Sequence, residues 1–453
     1  MKPRPRDKRS NVLSPPGSGT GRAIVIGPYQ RTGRPVGNGH DRPPSARLEE
    51  AIGLARAIDL DVVEAGIAPI GDIRPATFIG KGKVDEIAGL VKSLEAGIVV
   101  LDCALSPVQQ RNLEQAWSAK VLDRTGLILE IFGRRAHTRE GALQVEHAHL
   151  TYQKSRLVRS WTHLERQRGG FGFLGGPGET QLEADRRMIE ERLARIEVEL
   201  DKVKTRRKLH RDSRARVPYP IAALVGYTNA GKSTLFNRLT QASVLEADML
   251  FATLDPTLRA ISLPNGLKII VSDTVGFISD LPTMLVAAFR ATLEEVIEAD
   301  IILHVRDISH EDTDAQSQDV AEVLRELDIA PEDPRMIEVW NKIDRLDAEG
   351  RTRLSNMAAR MPAERRPVLL SALTGEGLDR LENAIEARLS LRRIVLDLSV
   401  DPADGAGVSW LHRHTEVMEK SLRGDGRLAV TVRVDPAKAA LVQAKFAELA
   451  KAT

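Results

Sequence analysis

The sequence predicts an α/β protein centred on a mostly parallel sheet, with three smaller units around it. Three observations support this fold class. An apolar run at residues 221–225 is followed by a glycine-rich loop and then by a helix-forming stretch. Two long segments carry the apolar spacing of paired helices, and apolar runs alternate with helical stretches before and after these features. A chain of 453 residues is long enough for two to four domains.

The first part of the chain is predicted to form two units. Residues 1–21 are basic and rich in Pro, Gly and Ser, so we expect them to form a disordered tail. Residues 22–135 alternate short apolar runs with helical stretches, which predicts a small N-terminal α/β domain. Its candidate strands are residues 23–26, 61–65, 98–101 and 120–122.

Residues 136–215 are predicted to form a long antiparallel helical hairpin. Within 138–166 and 181–210, apolar residues recur at the spacings that line the seam between paired helices. They are Leu143, Leu150, Leu157 and Leu164 in the first helix, and Ile189, Leu193, Ile196, Leu200 and Val203 in the second. The connection is the glycine-rich loop Gly169–Gly178, and a short connection makes the two helices antiparallel neighbours.

This hairpin is a candidate RNA-binding element. Residues 151–216 hold 17 Lys or Arg against 10 Asp or Glu, a surplus of +7 in a chain with a formal net charge of +2. A solvated helix face would by itself explain such a charge run. Phe171 and Phe173 in the loop favour RNA, because exposed aromatics beside basic helices can stack on bases while the charges contact phosphates. A second nucleotide-binding loop is the weaker alternative, because no strand precedes these glycines.

Residues 216–390 contain the first motif of a nucleotide site. The loop Gly226–Ser233 lies between an apolar run and a helix, which is the arrangement of a phosphate-binding loop. Its backbone N–H groups and the helix N-terminus favour phosphate oxygens. Lys232 can reach the β- and γ-phosphates, and the Ser233 hydroxyl can bind Mg²⁺. The predicted contacts are Gly226, Tyr227, Thr228, Asn229, Ala230, Gly231, Lys232, Ser233 and Thr234.

A second motif predicts which base is bound. Asn341, Lys342 and Asp344 form an N-K-x-D sequence after an apolar strand. The Asp344 carboxylate can accept hydrogen bonds from the N1–H and N2–H₂ groups of guanine, whereas adenine offers no donor there. Backbone N–H groups after the next strand can reach the guanine carbonyl; this segment is Ser371, Ala372 and Leu373. In this order the motifs predict a P-loop GTPase domain that binds GTP and GDP.

Two segments between these motifs are predicted to contact the γ-phosphate and Mg²⁺. Asp273 can hold Mg²⁺ through water, and the N–H of Gly276 can contact the γ-phosphate. Thr253 is the predicted second hydroxyl ligand of Mg²⁺, with Thr257 as the alternative. The predicted metal site is Ser233, Thr253 and Asp273, and the predicted catalytic residues are Lys232, Thr253 and Gly276. The full segments are Phe251, Ala252 and Thr253, and Asp273, Thr274, Val275 and Gly276.

Phe277 occupies the position where Ras-like GTPases place the glutamine that orients the attacking water. Phenylalanine cannot orient water, so we expect slow hydrolysis in the isolated protein and a contribution from a partner or from a rearranged segment. Packing is the simplest structural role for Phe277, and the two interpretations are compatible.

The remaining features concern the C-terminus and the cell compartment. Residues 391–453 are predicted to form a small α/β C-terminal domain with strands at 394–400 and 428–434. No apolar run approaches 18 residues, so no membrane span is predicted, and the N-terminus lacks the apolar core of a secretory signal. Cys103 is the only cysteine, which fits a reducing compartment. We expect a cytoplasmic protein, with peripheral membrane association left open.

The chain resembles the HflX family of ribosome-associated GTPases, part of the Obg-HflX superfamily, over roughly residues 22–390. Phe78–Lys83, Gly175–Glu183 and Phe251–Thr257 carry the resemblance, together with the nucleotide motifs. It implies binding to the large (50S) ribosomal subunit and its rRNA through the hairpin and the loop Gly169–Gly178. It also implies ribosome-stimulated GTP hydrolysis and GTP-dependent dissociation or rescue of ribosomes under stress. We expect the free protein to be a monomer.

Two other classes of function compete with this one. A GTPase of ribosome assembly or RNA modification is the main alternative. A modification enzyme should carry further catalytic residues outside the GTPase domain, and the sequence offers no convincing nucleophile or metal cluster there. A signalling switch with protein partners alone would not need a basic hairpin that carries aromatics in its loop.

Overall fold

A computed structural model describes most of the chain. The described residues are 21–30, 42–167, 181–214, 219–241, 250–251, 253–254, 256–282, 285, 293–392, 394–423, 426–434 and 436–447. The tail at 1–20, the hairpin loop Gly169–Gly178 with Phe171 and Phe173, and Ala252 lie outside this part of the chain. The predictions for those residues therefore stay predictions.

The N-terminal unit is a parallel sheet of four strands in the order β2-β1-β3-β4. The strands are β1 (Arg22–Gly27), β2 (Asp61–Ile67), β3 (Ile98–Leu101) and β4 (Lys120–Asp123). The helices are α1 (Pro44–Arg56), α2 (Lys81–Ser93), α3 (Pro107–Trp117) and α4 (Arg124–Arg135). Ala23 to Gly27 of β1 are buried without alternation, as expected for a parallel strand covered on both faces. The predicted small α/β domain is present.

The next unit is the helical hairpin, formed by α5 (Arg139–Gln167) and α6 (Gln181–Arg214). The helices are antiparallel, because Arg139 pairs with Glu199 and the later Lys154 pairs with the earlier Glu190. Eight of the predicted seam positions are buried or half-buried: Leu143, Leu150 and Leu157 in α5, and Ile189, Leu193, Ile196, Leu200 and Val203 in α6. Packing along the seam therefore holds the two helices together as predicted.

The central unit is a six-stranded sheet in the order β10-β9-β8-β5-β7-β6, in which only the pair β6 and β7 is antiparallel. The strands are β5 (Ile221–Val225), β6 (Thr257–Ser262), β7 (Lys268–Asp273), β8 (Ile301–Asp307), β9 (Met336–Asn341) and β10 (Val368–Leu369). The helices are α7 (Lys232–Thr240), α8 (Thr313–Glu326), α9 (Ala348–Arg360) and α10 (Leu378–Arg392). The carboxyl ends of β5, β7, β9 and β10 bring the predicted motifs to one edge of the sheet, where ligands of such sheets bind.

The C-terminal unit is an antiparallel sheet in the order β11-β13-β12. Its strands are β11 (Ile394–Val400), β12 (Glu416–Leu422) and β13 (Leu428–Val434), and its helices are α11 (Gly405–His414) and α12 (Pro436–Ala447). Strands β11 and β13 have the predicted bounds. Strand β12 was not predicted, because the segment Glu416–Leu422 has three charged residues among its seven and no apolar alternation.

One hydrophobic core is continuous between the N-terminal and central units. Phe132 of α4 packs edge-to-face on Phe251, with ring centroids 4.7 Å apart. Phe277 and Val275 belong to the same cluster, together with Val25 of β1. The segments predicted to contact the γ-phosphate are therefore packed directly against the N-terminal unit. Among the described helices, none combines the length and the apolar character needed to cross a membrane.

Candidate nucleotide-binding site

A cavity of about 320 Å³ lies at the carboxyl edge of the central sheet. Residues from each of the predicted motifs line it. They are Thr228, Asn229, Gly231, Lys232, Ser233, Thr234, Phe251, Thr253, Thr274, Gly276, Asn341, Lys342, Asp344, Arg345, Ala372 and Leu373. Arg345 is the one residue of this lining that the sequence analysis did not single out. The cavity therefore collects motifs that are up to 145 residues apart in sequence, counted from Thr228 to Leu373.

The phosphate loop needs glycine at two positions. Gly226 has φ +151°, and a Cβ there would lie 2.2 Å from the carbonyl oxygen of Val305. Gly231 has φ +92°, and a Cβ there would lie 2.3 Å from the side-chain nitrogen of Asn341. Both positions thus combine an unfavourable backbone conformation with a steric clash for any larger residue. The loop can fold closely against β8 and the N-K-x-D segment only because these side chains are absent.

Lys232 is buried at the start of α7, and its ammonium group stays within the loop. Its Nζ donates hydrogen bonds to the carbonyl oxygens of Gly226 at 3.1 Å and Tyr227 at 2.8 Å. Burial lowers the pKa of Lys232 to about 8; Asp273 opposes this shift, and Lys342 adds to it. A positive charge in a dry site attracts an anion more strongly than the same charge in water.

The three predicted metal ligands converge. Ser233 Oγ and Thr253 Oγ1 both donate to Asp273 Oδ2, at 2.8 and 2.9 Å, and the two hydroxyl oxygens are 2.9 Å apart. The other carboxylate oxygen, Oδ1, is buried and has no hydrogen-bond partner among the described residues. Burial raises the pKa of Asp273, whereas Lys232 and the two hydroxyls lower it.

This set of hydroxyl and carboxylate oxygens fits Mg²⁺, which prefers hard oxygen ligands. The geometry also distinguishes the two threonines proposed from the sequence. Thr253 lies in the cluster, whereas Thr257 begins β6 and pairs through its backbone with Asp273 in the sheet. The arrangement favours Thr253 over Thr257 as the second hydroxyl.

The N-K-x-D segment is tied to the phosphate loop and to the segment after β10. Asn341 Nδ2 donates to the Ala230 carbonyl at 2.8 Å, and Asn341 Oδ1 accepts from the N–H of Ala372 at 2.9 Å. Lys342 Nζ donates to the Asn229 carbonyl at 2.7 Å. The Asn341 side chain thus connects its own segment to the phosphate loop and to the segment after β10. A base bound against Lys342 would therefore be held in a fixed position relative to the phosphates.

Asp344 is the residue predicted to recognise guanine. Its Oδ1 atom is buried yet has no hydrogen-bond partner in the part of the chain that the structure describes. A buried carboxylate oxygen that lacks a hydrogen-bond donor destabilises the folded protein. Asp344 Oδ1 is therefore available to accept a hydrogen bond from a ligand in the cavity that Asp344 lines. Two N–H groups on the edge of guanine would supply those donors.

Several predicted contact residues support the cavity without lining it. Asp273 is buried, Val275 lies in the core, and Ser371 accepts a hydrogen bond on Oγ from the N–H of Thr374 at 3.1 Å. Tyr227 differs most from expectation, because its hydroxyl accepts a hydrogen bond from Arg42 of the N-terminal unit at 2.8 Å. The remaining members of this group are Gly226 and Ala230, whose carbonyl oxygens accept from Lys232 and Asn341.

Phe277 is buried in the core that the N-terminal and central units share. Its backbone pairs with the phosphate loop: its carbonyl accepts from the Thr228 N–H at 2.7 Å, and its N–H donates to the Gly226 carbonyl at 3.2 Å. Phe277 therefore packs, as its simplest interpretation suggested, and it holds Gly276 beside the loop. No polar group at this position faces the cavity.

Two supporting residues had no signal in the motifs. Arg238 of α7 donates to the carbonyl oxygens of Ala372, at 3.3 Å, and Leu373, and so holds the segment after β10 that lines the cavity. Asp307, the last residue of β8, forms an ion pair with Lys342 at 2.7 Å. Only the folded arrangement of the strands brings these residues to the site.

The lowered pKa of Lys232 leads to a pH-dependent prediction. A bound triphosphate favours the charged ammonium form and therefore raises the pKa of Lys232 above its value in the free protein. Affinity should then be full below about pH 8 and should fall by up to about tenfold per unit as pH rises further. Fluorescent-nucleotide titrations between about pH 7 and pH 9 measure this slope.

The control is Lys232→Arg, whose guanidinium stays charged over this range. The variant should bind with a flatter pH profile, whatever its absolute affinity. A wild-type affinity that does not change between these limits would show that Lys232 does not titrate on binding.

Four family profiles match successive parts of the chain. They are described as GTP-binding GTPase N-terminal (residues 45–133), GTP-binding GTPase Middle Region (residues 135–214), 50S ribosome-binding GTPase (residues 221–342) and HflX C-terminal domain (residues 356–453). Together they span most of the chain in the order of the four units, and the fourth profile begins within α9 of the central unit. The third profile contains the phosphate loop, both intermediate segments and the start of the N-K-x-D motif.

The sequence is also similar to complete curated proteins. GTPase HflX of Magnetococcus marinus is 46% identical over 390 residues, which is 86% of this chain and 88% of that protein. GTPase HflX of Escherichia coli is 46% identical over 360 residues, or 80% of this chain and 83% of that protein. Among solved structures, a complex of SsGBP with GDP has 24% identity and a TM-score of 0.47, covering 81% of this chain and 97% of that chain. The profiles and the two relatives show that this chain belongs to the HflX family and is a GTPase.

Proposed function

We propose that this GTPase binds the large ribosomal subunit in the cytoplasm and uses GTP to dissociate or rescue ribosomes under stress. The observation that carries the proposal is the combination of a guanine-type site with a long two-helix hairpin on one core. Helices α5 and α6 have 29 and 34 residues, or about 44 and 51 Å at ~1.5 Å per residue. The description of the matched GTPase profile as 50S ribosome-binding supports the choice of partner.

The nucleotide is held from both ends. Asp344 accepts from the guanine edge, and Lys342 covers one face of the base. Lys232 and the N–H of Gly276 contact the β- and γ-phosphates. Ser233 and Thr253 would hold Mg²⁺ through their hydroxyls, and Asp273 would hold it through water. When bound with the triphosphate, Mg²⁺ supplies positive charge that offsets the charge developing on the phosphate oxygens.

This chain positions the nucleotide, and the large ribosomal subunit completes the catalytic site. Gly276 is held beside the phosphate loop by the backbone pairing of Phe277. The buried Phe277 leaves the attacking water without a side chain to orient it at the position used by Ras-like enzymes. Turnover should therefore be slow in the isolated protein and should rise when the large subunit contributes a group or moves this segment.

The hairpin is the proposed contact with ribosomal RNA. Along its described length, many charges already pair between the helices, as Arg192 does with Glu146 at 2.7 Å and Arg139 with Glu199 at 3.0 Å. These exposed pairs contribute little to stability and can exchange their partners for phosphates. The loop Gly169–Gly178 would add stacking on unpaired bases. We also propose that the free protein is a monomer.

Sedimentation tests the proposal. Lysate or purified ribosomes are separated on sucrose gradients with GDP and with a non-hydrolysable GTP analogue. The protein should migrate with the large subunit when the analogue is present, and the fraction of intact ribosomes should fall. Migration at the top of the gradient in both states would contradict the proposal. Migration with immature subunits alone would favour a role in ribosome assembly.

The hairpin loop gives a separate prediction. Phe171→Ala/Phe173→Ala should weaken ribosome binding by roughly 1–3 kcal/mol per lost stacking contact. The slope of log affinity against log salt should stay nearly unchanged, because no charge is removed and each neutralised phosphate contributes about 0.7 to 0.9 to that slope. Ribosome pelleting across a salt series measures both quantities.

The matched control is Phe171→Tyr/Phe173→Tyr, which keeps both aromatic rings and should bind nearly as the wild type does. GTP binding by the isolated protein should be the same in all three proteins, since the loop and the nucleotide site lie on different units. If the alanine variant pellets with ribosomes as well as the wild type at every salt concentration, the aromatics have no part in binding.

A further inference from the structure

Arg124, the first residue of α4, is a buried guanidinium that belongs to none of the nucleotide motifs. It forms ion pairs with the carboxylates of Glu50 and Asp102. Its Nη2 also donates to Ser279, reaching the carbonyl oxygen at 2.8 Å and the hydroxyl oxygen at 2.9 Å. Ser279 lies three residues after Gly276, the predicted γ-phosphate contact. An arginine of the N-terminal unit therefore holds the segment that follows the catalytic glycine.

Further hydrogen bonds and an ion pair also hold the segment after Gly276. The N–H of Ser279 donates to the Tyr227 hydroxyl at 2.8 Å, and Ser279 Oγ donates to Glu50 Oε1 at 2.8 Å. Tyr227 in turn donates to Glu50, which connects the phosphate loop to the same carboxylate. The next residue, Asp280, forms an ion pair with Arg47 of α1 at 3.3 Å. The polar groups of Ser279 are thus satisfied by the N-terminal unit and by the phosphate loop together.

The residue before Arg124 faces the hairpin. Asp123 Oδ1 accepts from the Tyr152 hydroxyl, and Asp123 Oδ2 accepts from Arg156, each at 2.5 Å. The Arg156 guanidinium also stacks over the Tyr152 ring, 4.3 Å from its centroid. Both residues belong to α5 of the hairpin. Asp123 additionally caps α4 by accepting from the Gly126 N–H at 2.8 Å.

Two adjacent residues therefore point to two different parts of the molecule. Asp123 is bonded to the hairpin, and Arg124 is bonded to the segment after Gly276. They share one peptide unit at the start of a helix, so a shift of one displaces the other. Buried ion pairs resist partial separation, because an unpaired buried charge is strongly destabilising. Such contacts tend to move together or to exchange as a set.

We propose that the Asp123–Arg124 pair couples the hairpin to the segment after Gly276, so that a partner bound at the hairpin changes GTP hydrolysis through Arg124. Arg124 is then a positioning residue for hydrolysis, acting through Ser279. This inference rests on the proposed function for the identity of the partner. The coupling itself is a property of the free protein.

Tyr152→Phe and Ser279→Ala test the two ends of this connection. Each removes one hydroxyl and keeps the rest of the side chain, so both variants should fold. With saturating large subunits, the ratio of stimulated to unstimulated turnover should fall roughly 2- to 30-fold in each. Gln153→Ala is the matched control, since Gln153 is an exposed neighbour on α5, and it should keep the wild-type ratio.

The double variant Tyr152→Phe/Ser279→Ala separates coupling from two independent effects. If both ends act through Asp123 and Arg124, the double variant should be no worse than the more affected single variant. If the fold reductions in stimulation of the two single variants multiply in the double variant, the inference is overturned. It is also overturned if the single variants keep the wild-type ratio of stimulated to unstimulated turnover.

Amide hydrogen exchange supplies a readout that does not depend on ribosomes. In the free protein, Tyr152→Phe should accelerate exchange in the segment 276–282 several-fold, and Gln153→Ala should not. If the exchange rate of this segment is unchanged in Tyr152→Phe, the coupling is overturned, even if large subunits stimulate GTP hydrolysis. If large subunits fail to stimulate the wild type, the proposed function fails, while the exchange experiment still decides whether the hairpin and the segment are coupled.

Discussion

Replacing Lys232 with alanine is expected to weaken GTP binding by about 3 kcal/mol, or roughly 150-fold, and to reduce hydrolysis further. The ammonium group is buried, its donors are satisfied by the carbonyl oxygens of Gly226 and Tyr227, and the β- and γ-phosphates would take over those donors. Removing it leaves two loop carbonyls facing a polyanion. Fluorescent-nucleotide titration and single-turnover hydrolysis measure the two effects.

Ser233→Ala should act differently from Lys232→Ala, because the hydroxyl is assigned to Mg²⁺ rather than to phosphate. The loss should be greatest in hydrolysis and in the response to added Mg²⁺, with a smaller effect on GDP binding. Lys268→Ala, at an exposed lysine on β7, is the control for loss of a positive charge and should match the wild type. Wild-type hydrolysis rates in both loop variants would mean that the phosphate loop is assigned wrongly.

The sequence was most informative where function is encoded by contiguous residues. The phosphate loop and the N-K-x-D segment each follow a buried strand, and parallel strands deliver such segments to one edge of a sheet. Spacing and residue type alone could therefore place Lys232 and Asp344 in one site. The helical hairpin was predictable for a similar reason, since the seam between two helices has a regular period in sequence.

Long-range geometry was not predictable in the same way. The choice between Thr253 and Thr257 depended on which hydroxyl approaches Asp273, and the two residues are only four positions apart. Tyr227 was assigned to the nucleotide because it lies within the loop motif, yet its hydroxyl faces Glu50, which is 177 residues away in sequence. No local pattern marks such a contact.

The Arg124 contacts show the same limit more clearly. Arg124 meets Ser279 across 155 positions, and its neighbours Asp102 and Glu50 lie in segments with no catalytic motif. In the sequence these are ordinary charged residues, of a kind usually found in solvent. Their burial becomes apparent only when the N-terminal sheet is placed against the GTPase domain, where Arg124 and Glu50 pair with each other and both also contact Ser279 of the other unit.

Asp344→Asn should change which base the site accepts. In the wild type, the buried Oδ1 atom can accept from the N1–H and N2–H₂ groups of guanine, and the loss of one charge-assisted hydrogen bond costs roughly 1.5–3 kcal/mol. GTP affinity should therefore fall roughly 10- to 150-fold. Xanthosine triphosphate has a carbonyl in place of the amino group, and the asparagine amide can donate to that oxygen, so this nucleotide should bind the variant better than it binds the wild type.

Competition titrations with the two nucleotides measure this exchange of specificity. Asp347→Asn is the matched control, because Asp347 lies three residues away and caps α9 by accepting from the Gly350 N–H at 2.7 Å. Asparagine serves nearly as well as aspartate in a helix cap, so the control should keep the wild-type preference for GTP. Equal GTP affinity in Asp344→Asn and the wild type would remove Asp344 from base recognition. A loss of affinity for both nucleotides would instead mean that the unpaired carboxylate oxygen stabilises the loop and does not read the base.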